Sequence, residues 1–152
     1  MTEHEIITTL YAWRTKRSRK SLFFPNVYLH SEYIESDLIE ISATGRVTEY
    51  EIKTSLADLL KEYDKKRWRL DIENRIKQYY FVLPGELYAS YREKIDQFVR
   101  PDHGIITLHH EYHRHVFNYR RQARQNRRAP PVNARVIDRL YRKIYFRYWG
   151  LR

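Results

Sequence analysis

Two carboxylates placed symmetrically about a glycine turn constrain this chain more than any other feature. Asp37 stands seven residues before Thr44 and Glu51 seven after it, with Gly45 beside that centre. If the chain folds back around Ala43-Thr44-Gly45-Arg46, the two carboxylates face each other across a hairpin, to within a residue of register. Residues two apart on a strand share a face, so Glu49, Glu51 and Lys53 point the same way. Two carboxylates at close range raise each other's pKa unless a cation lies between them. Such a sheet face suits a hard divalent cation, with an ammonium placed beside a phosphate to be activated. The alternative is a salt-bridge cluster on an exposed sheet face.

The flanking pattern is that of alternating helices and strands. Thr2-Glu3-His4-Glu5 has capping-box spacing, and Ile6, Ile7, Leu10, Tyr11 and Trp13 form a helical stripe to about Arg14. The basic run Thr15 to Ser21 reads as a loop, and Leu22 to Leu29 as a turn entering a short strand. Ile34 to Ser42 and Arg46 to Lys53 are the hairpin strands. Ser55 opens a second helix with Leu56, Leu59, Leu60 and Tyr63 buried. Gln78 to Leu83 is an apolar strand stopped by Pro84-Gly85, Glu86 to Phe98 a third helix, and Gly104 to Leu108 a last strand. The order α-β-β-β-α-β-α-β implies an α/β fold, a mixed central sheet flanked by helices. Residues 1–110 form this core. Residues 111–152 form a basic, aromatic-rich helical extension: Glu111 to Arg128 is helix-compatible, Ala129-Pro130-Pro131 breaks it, and Val136, Ile137, Leu140, Tyr141, Ile144 and Tyr148 stripe a final helix.

The net charge of +10 lies entirely in that extension. From Glu111 onward there are 12 Lys and Arg against 2 Asp and Glu (12 − 2 = +10), whereas the first 110 residues balance at 17 of each. A neutral body with a basic tail suits a polyanion. Arg114, Arg120, Arg121, Arg124, Arg127 and Arg128 are the candidate nucleic-acid contacts, interleaved with rings able to stack on unpaired bases. Lys65, Lys66, Arg67 and Arg69 are further phosphate contacts or a solvated face. The absence of cysteine rules out disulfides and cysteine-ligated zinc. With no signal-peptide pattern at the N-terminus and no apolar run of the roughly 20 residues a membrane helix needs, the expectation is a cytoplasmic protein without membrane contact. The segment His109 to His115 is not His-Glu-x-x-His, because only Tyr112 separates Glu111 from His113. It reads as phosphate contact or plain surface.

Asp37 followed after thirteen residues by Glu51-Ile52-Lys53, on adjacent strands between two helices, resembles the PD-(D/E)XK nuclease superfamily. More narrowly, Phe24-Pro25-Asn26-Val27-Tyr28-Leu29, Glu35-Ser36-Asp37-Leu38, Glu49 to Lys53 and Ser55-Leu56-Ala57-Asp58 look like small phage and bacterial nuclease-like proteins related to the MmcB DNA repair family. The likeness covers about residues 1–110. It departs in having Ser36 where the motif's name has proline. The resemblance implies a restriction-endonuclease-like core and a deoxyribonuclease of DNA processing, recombination or repair. Asp37, Glu51 and the Ile52 carbonyl would bind Mg²⁺ or Mn²⁺. Lys53 would orient or help deprotonate the attacking water and stabilise charge on the phosphate. A first-helix glutamate, Glu5 or else Glu3, would complete the site, although the capping box alone accounts for Glu5. Glu49, one step nearer the turn, reads as accessory or exposed, and Asp58 as a helix-capping residue. The partner is DNA, with RNA left open, and a homodimer would let one site per chain cut both strands. The rival readings are a non-catalytic nucleic-acid-binding module and an interaction subunit whose basic tail meets an acidic protein.

Overall fold

The hairpin closes where its glycine permits. In the computed structural model, which describes residues 1–29, 34–65, 68 and 73–150, Gly45 has φ 77°, a left-handed value that costs glycine little. The Ser42 N–H donates to the Arg46 carbonyl (2.9 Å) and the Gly45 N–H to the Ser42 carbonyl (2.9 Å). Strands β2 (Ser36–Ile41) and β3 (Val47–Ile52) leave this turn antiparallel, with Leu38 opposite Tyr50 and Ile41 opposite Val47. One step beyond Leu38 and Tyr50, the same register sets Asp37 against Glu51.

Four more strands complete one sheet in sequential order: β1 (Leu22–Val27), β4 (Gln78–Pro84), β5 (Gly104–Glu111) and β6 (Arg114–Arg121). β3, β4 and β5 run parallel and the remaining pairings are antiparallel. Parallel neighbours need crossovers. These are supplied by α2 (Leu56–Leu60) with its following short turns, and by α3 (Gly85–Phe98). With α1 (Glu3–Arg17) and α4 (Ala134–Tyr148), the chain is a mixed α/β fold of six strands and four α-helices among the described residues.

Each face of the sheet has its own core. Ile6, Ile7 and Leu10 of α1 pack with Leu38, Tyr50, Ile52, Val82 and Ile106. On the opposite face, Leu59 and Ile95 bury Phe81, Leu83 and Ile105, while Leu140 of α4 joins Phe24, Ile39, Ile41 and Val47. Asp37, Glu49 and Glu51 alternate with the α1-facing residues. They therefore lie on the second face, between its two apolar clusters.

Three expectations are corrected. Thr15 to Arg17 form the last turn of α1 rather than a loop, because Thr15 Oγ1 donates to the Tyr11 carbonyl (2.6 Å) and the Arg17 guanidinium lies over the Trp13 ring at 4.6 Å. Glu111 to Arg128 is not helical. It finishes β5, turns at Tyr112 and His113 (φ 45° and 65°), and returns as β6. The deciding pattern has period two: Phe117 and Tyr119 face α1, where Trp13 stacks on Phe117 with centroids 4.7 Å apart. The basic helical extension thus reduces to α4, and residues 114–121 belong to the sheet. On α4, Tyr141 and Tyr148 are 50% and 80% exposed, so the buried stripe is narrower than expected.

The hairpin is also locked from the α1 side. The Arg14 guanidinium grips Glu40 with two bonds (3.0 and 2.9 Å), and the Tyr50 hydroxyl donates to Glu40 Oε2 (2.6 Å). Burial alone would raise the Glu40 carboxyl; the bonds from Arg14 and Tyr50 outweigh it and hold the group below the usual range. Removing one partner of a buried pair leaves the other charge uncompensated. Glu40→Ala should lower stability by about 3–5 kcal/mol in urea unfolding, and a loss under 1 kcal/mol would show that Arg14 finds water instead.

Candidate active site

The β2–β3 ladder ends where the acids meet. Beyond Leu38 and Tyr50, the Ile52 N–H donates to Asp37 Oδ2 (2.7 Å), a side chain taking the place of a main-chain acceptor. Burial first, and the neighbouring Glu51 charge second, push the Asp37 carboxyl up to about 8. Among the described residues, no ion pair reaches Asp37.

Positive charge is concentrated one residue further on. Lys53 Nζ lies 2.7 Å from Glu51 Oε1 and 2.9 Å from Glu62 Oε2. Lys65 Nζ contacts the same two oxygens at 3.0 and 2.6 Å. Two carboxylates and two ammoniums thus close a ring. Burial and the Glu62 charge raise the Glu51 carboxyl, with Lys53 and Lys65 only partly offsetting them. Glu62 is also raised by burial, but the two lysines prevail and its pKa falls. Burial works to lower the Lys53 ammonium; Glu51 and Glu62 overcome it and its pKa rises, so Lys53 stays protonated. The ammonium is therefore held in its charged form between the two carboxylates. Asp58, whose N–H donates to the Ser55 side chain as the capping reading requires (3.2 Å), also stands 3.7 Å from Lys53.

Glu49 is fully buried rather than exposed. Glu5 is fully exposed: it completes the capping box, accepting from the Thr2 N–H (2.6 Å), and its pKa is lowered by those Thr2 bonds. Among the charges that raise Asp37, after burial and Glu51, is that of Glu3 in the first turn of α1. Glu62 escaped sequence reasoning. Its only local signal is the spacing of three to Lys65, which many solvated segments share. Lys66, Arg67 and Arg69 lie outside the described residues.

A divalent ion fits this donor set in one respect: the Glu51 charge raises the Asp37 carboxyl, and among the described residues no ion pair reaches Asp37. No cluster of three His, Cys, Asp or Glu side chains in metal-holding arrangement occurs among the described residues, since Lys53 and Lys65 stand between Glu51 and Glu62.

The arginines divide by role. Arg121 is a structural tie, donating to the carbonyls of His103 (3.0 Å), Val99 (2.9 Å), Arg100 (3.2 Å) and Asp96 (3.4 Å) around the end of α3. Arg120 bonds Thr107 and His109 at the sheet edge. Arg114, Arg124, Arg127 and Arg128 are exposed.

No family model matches the chain, and no curated protein does. A solved structure resembles it throughout: the SPO1766 protein of unknown function from Silicibacter pomeroyi, 13% identical, with a TM-score of 0.61 over 99% of this chain and 88% of that one. That likeness shows a shared fold and takes in β6 and α4. Among the described residues, no helix is long and apolar enough to cross a membrane.

Two outcomes test the site. An acid whose folded pKa exceeds its unfolded value binds more protons when folded, so its contribution to stability is lost as pH rises from about 4 through about 8. Asp37→Asn, which mimics the neutral acid, should therefore be more stable than the parent above pH 8 and equal to it near pH 4 in thermal melts. Parallel pH curves would refute the burial of that charge. Arg121→Ala should cost about 1–3 kcal/mol in unfolding, whereas Arg127→Ala, at an exposed position, should change stability by less than about 0.5 kcal/mol.

Proposed function

We propose that the chain is a metal-dependent deoxyribonuclease of PD-(D/E)XK type, serving phage or bacterial DNA processing, recombination or repair. The observation that carries this reading is the meeting of Asp37, Glu51 and Lys53 where the β2–β3 ladder ends. Asp37, Glu51 and the Ile52 carbonyl would hold Mg²⁺ or Mn²⁺, and the Glu51 charge that adds to burial in raising Asp37 favours a cation there. The ion, when bound, polarises a phosphoryl oxygen and lowers the pKa of its water. Lys53, kept protonated by Glu51 and Glu62, offers a fixed positive charge to the phosphate as charge builds on it. Glu3, whose charge reaches Asp37, is the first-helix acid of this reading.

One observation favours a second reading, a nucleic-acid-binding module without catalysis: Lys53 and Lys65 already neutralise Glu51 and Glu62. Labelled duplex, single-stranded and four-way-junction DNAs, incubated with Mg²⁺, Mn²⁺ or EDTA, separate the two. Lys53→Ala should slow cleavage by about a hundredfold or more with binding nearly unchanged. Metal-dependent turnover retained in that variant would refute the mechanism, and binding without cutting on every substrate would favour the second reading.

A further inference from the structure

α4 packs through one stripe and leaves its other side to solvent. Leu140 is fully buried with Phe24, Ile39, Ile41 and Val47, and Val136, Ile137 and Ile144 pack against that cluster. Asn133 caps the helix, its side chain accepting from the Val136 N–H (3.0 Å). Two arginines hold its flank: Arg139 donates to the Leu29 carbonyl (2.9 Å) and Arg147 to the Asn26 carbonyl (2.7 Å). The rotation of the helix about its own axis is therefore fixed, and so is the face it turns outward.

That outward face carries cations and rings together. Arg135, Arg142, Tyr145 and Trp149 follow one another at spacings of seven, three and four, which makes one helical row opposite Leu140, with Phe146 beside it. Tyr145, Phe146 and Trp149 are 57%, 43% and 61% exposed. Tyr145 meets Phe146 and Trp149 at interplanar angles of 73° and 57°, so it is stacked on neither. Arg142 reaches Asp138 (3.0 Å) with both side chains exposed. A surface pair of this kind is worth little and leaves the guanidinium open to another anion.

Charge and shape together select what this face can take. α4 has five basic residues and one acid, Asp138, so its partner is anionic. A second copy of the chain, meeting it face to face, would set like charges together. A lipid surface takes a basic helix by its apolar stripe, and here that stripe is already packed on β1, β2 and β3. An acidic peptide would pair the guanidiniums but offer the rings no flat partner. A single nucleic-acid strand offers both, phosphates for the arginines and a base face for each ring. In a duplex those base faces are covered by their stacked neighbours.

We propose that the outward face of α4 binds a single strand of DNA, with bases on Tyr145, Phe146 and Trp149 and phosphates on Arg135 and Arg142. The segment entering α4 is bonded to the β2–β3 turn, the Val132 N–H donating to the Gly45 carbonyl (2.8 Å). The face thus has a fixed place relative to the hairpin that carries Asp37 and Glu51. The proposal deepens the nuclease reading and rests on it for DNA as the strand, though not for strand binding itself. The substrate class it names is DNA with a single-stranded stretch.

The test is the anisotropy of a labelled oligothymidine titrated with the full chain in EDTA. Tyr145→Ala with Trp149→Ala should weaken binding about a hundredfold, roughly tenfold for each stacked base. Tyr112→Ala, which removes a 96% exposed ring on the β5–β6 turn, should leave it unchanged. Arg135→Ala with Arg142→Ala should reduce the slope of log affinity against log salt by about 0.7 for each arginine. All four α4 positions are exposed, so thermal melts should match the parent. Should a variant melt early, photocrosslinking of a bromodeoxyuridine oligonucleotide to the unaltered chain should place the adduct on Tyr145, Phe146 or Trp149. Unchanged affinity in the ring variant or adducts only elsewhere would overturn the proposal. So would a blunt duplex, polyglutamate or phosphatidylserine vesicles bound as tightly as the strand and weakened equally by the ring variant. Strand binding lost in the ring variant, with no metal-dependent cutting by the parent, would sustain the proposal and defeat the nuclease reading. Cutting by the parent, with affinity unchanged in the ring variant, would do the reverse.

Discussion

Lys53 and Lys65 each bridge Glu51 and Glu62, and that closed ring of charge is the interaction on which this face of the molecule depends. Glu62 has no exposed surface, and the Glu51 and Lys53 side chains are only 4% exposed. Removing such groups from water costs several kcal/mol each, which mutual attraction offsets only when the geometry is good. Well-packed apolar residues would hold the sheet at least as firmly. The ring is therefore weak as an account of stability; what it fixes is where two acids and two cations stand on this face.

The two strands beneath the ring are fixed from both sides. Tyr50, between Glu49 and Glu51, points to the opposite face, where its hydroxyl meets the Arg14–Glu40 pair. A slip of one residue would exchange the two faces, placing Glu51 under α1 and Tyr50 among the acids. Apolar packing above and below, together with the Gly45 turn, makes that exchange costly. The turn is clamped as well: the Val132 N–H donates to the Gly45 carbonyl (2.8 Å), and a Cβ at Gly45 would come within 2.8 Å of the Val132 carbonyl oxygen. The segment leading into α4 thus needs a glycine there for closeness as much as for φ.

The register that sets Asp37 against Glu51 was legible because it is local. Seven residues on each side of the turn, with side chains alternating, admit few pairings. The order of the first eight elements was legible for the same reason, from apolar periodicity and from Gly and Pro. β6 was not, because the six basic residues from His113 through Arg124, both included, hide two aromatic positions whose partner, Trp13, is about a hundred residues away in sequence. Arg121 and Arg127 are alike in sequence, yet one is used by four carbonyls around the end of α3 and the other faces water.

The sequence by itself determined the hairpin, its register and the pair of acids that the register brings together, because turn conformation and side-chain alternation act between residues near in the chain. The tertiary structure alone decided that Glu62 and Lys65 complete the charge ring, and that Arg124 and Arg128 border a cavity lined by Trp68, Tyr79 and His103. Each of those outcomes depends on which groups lose water together when distant segments pack, and no local pattern encodes that.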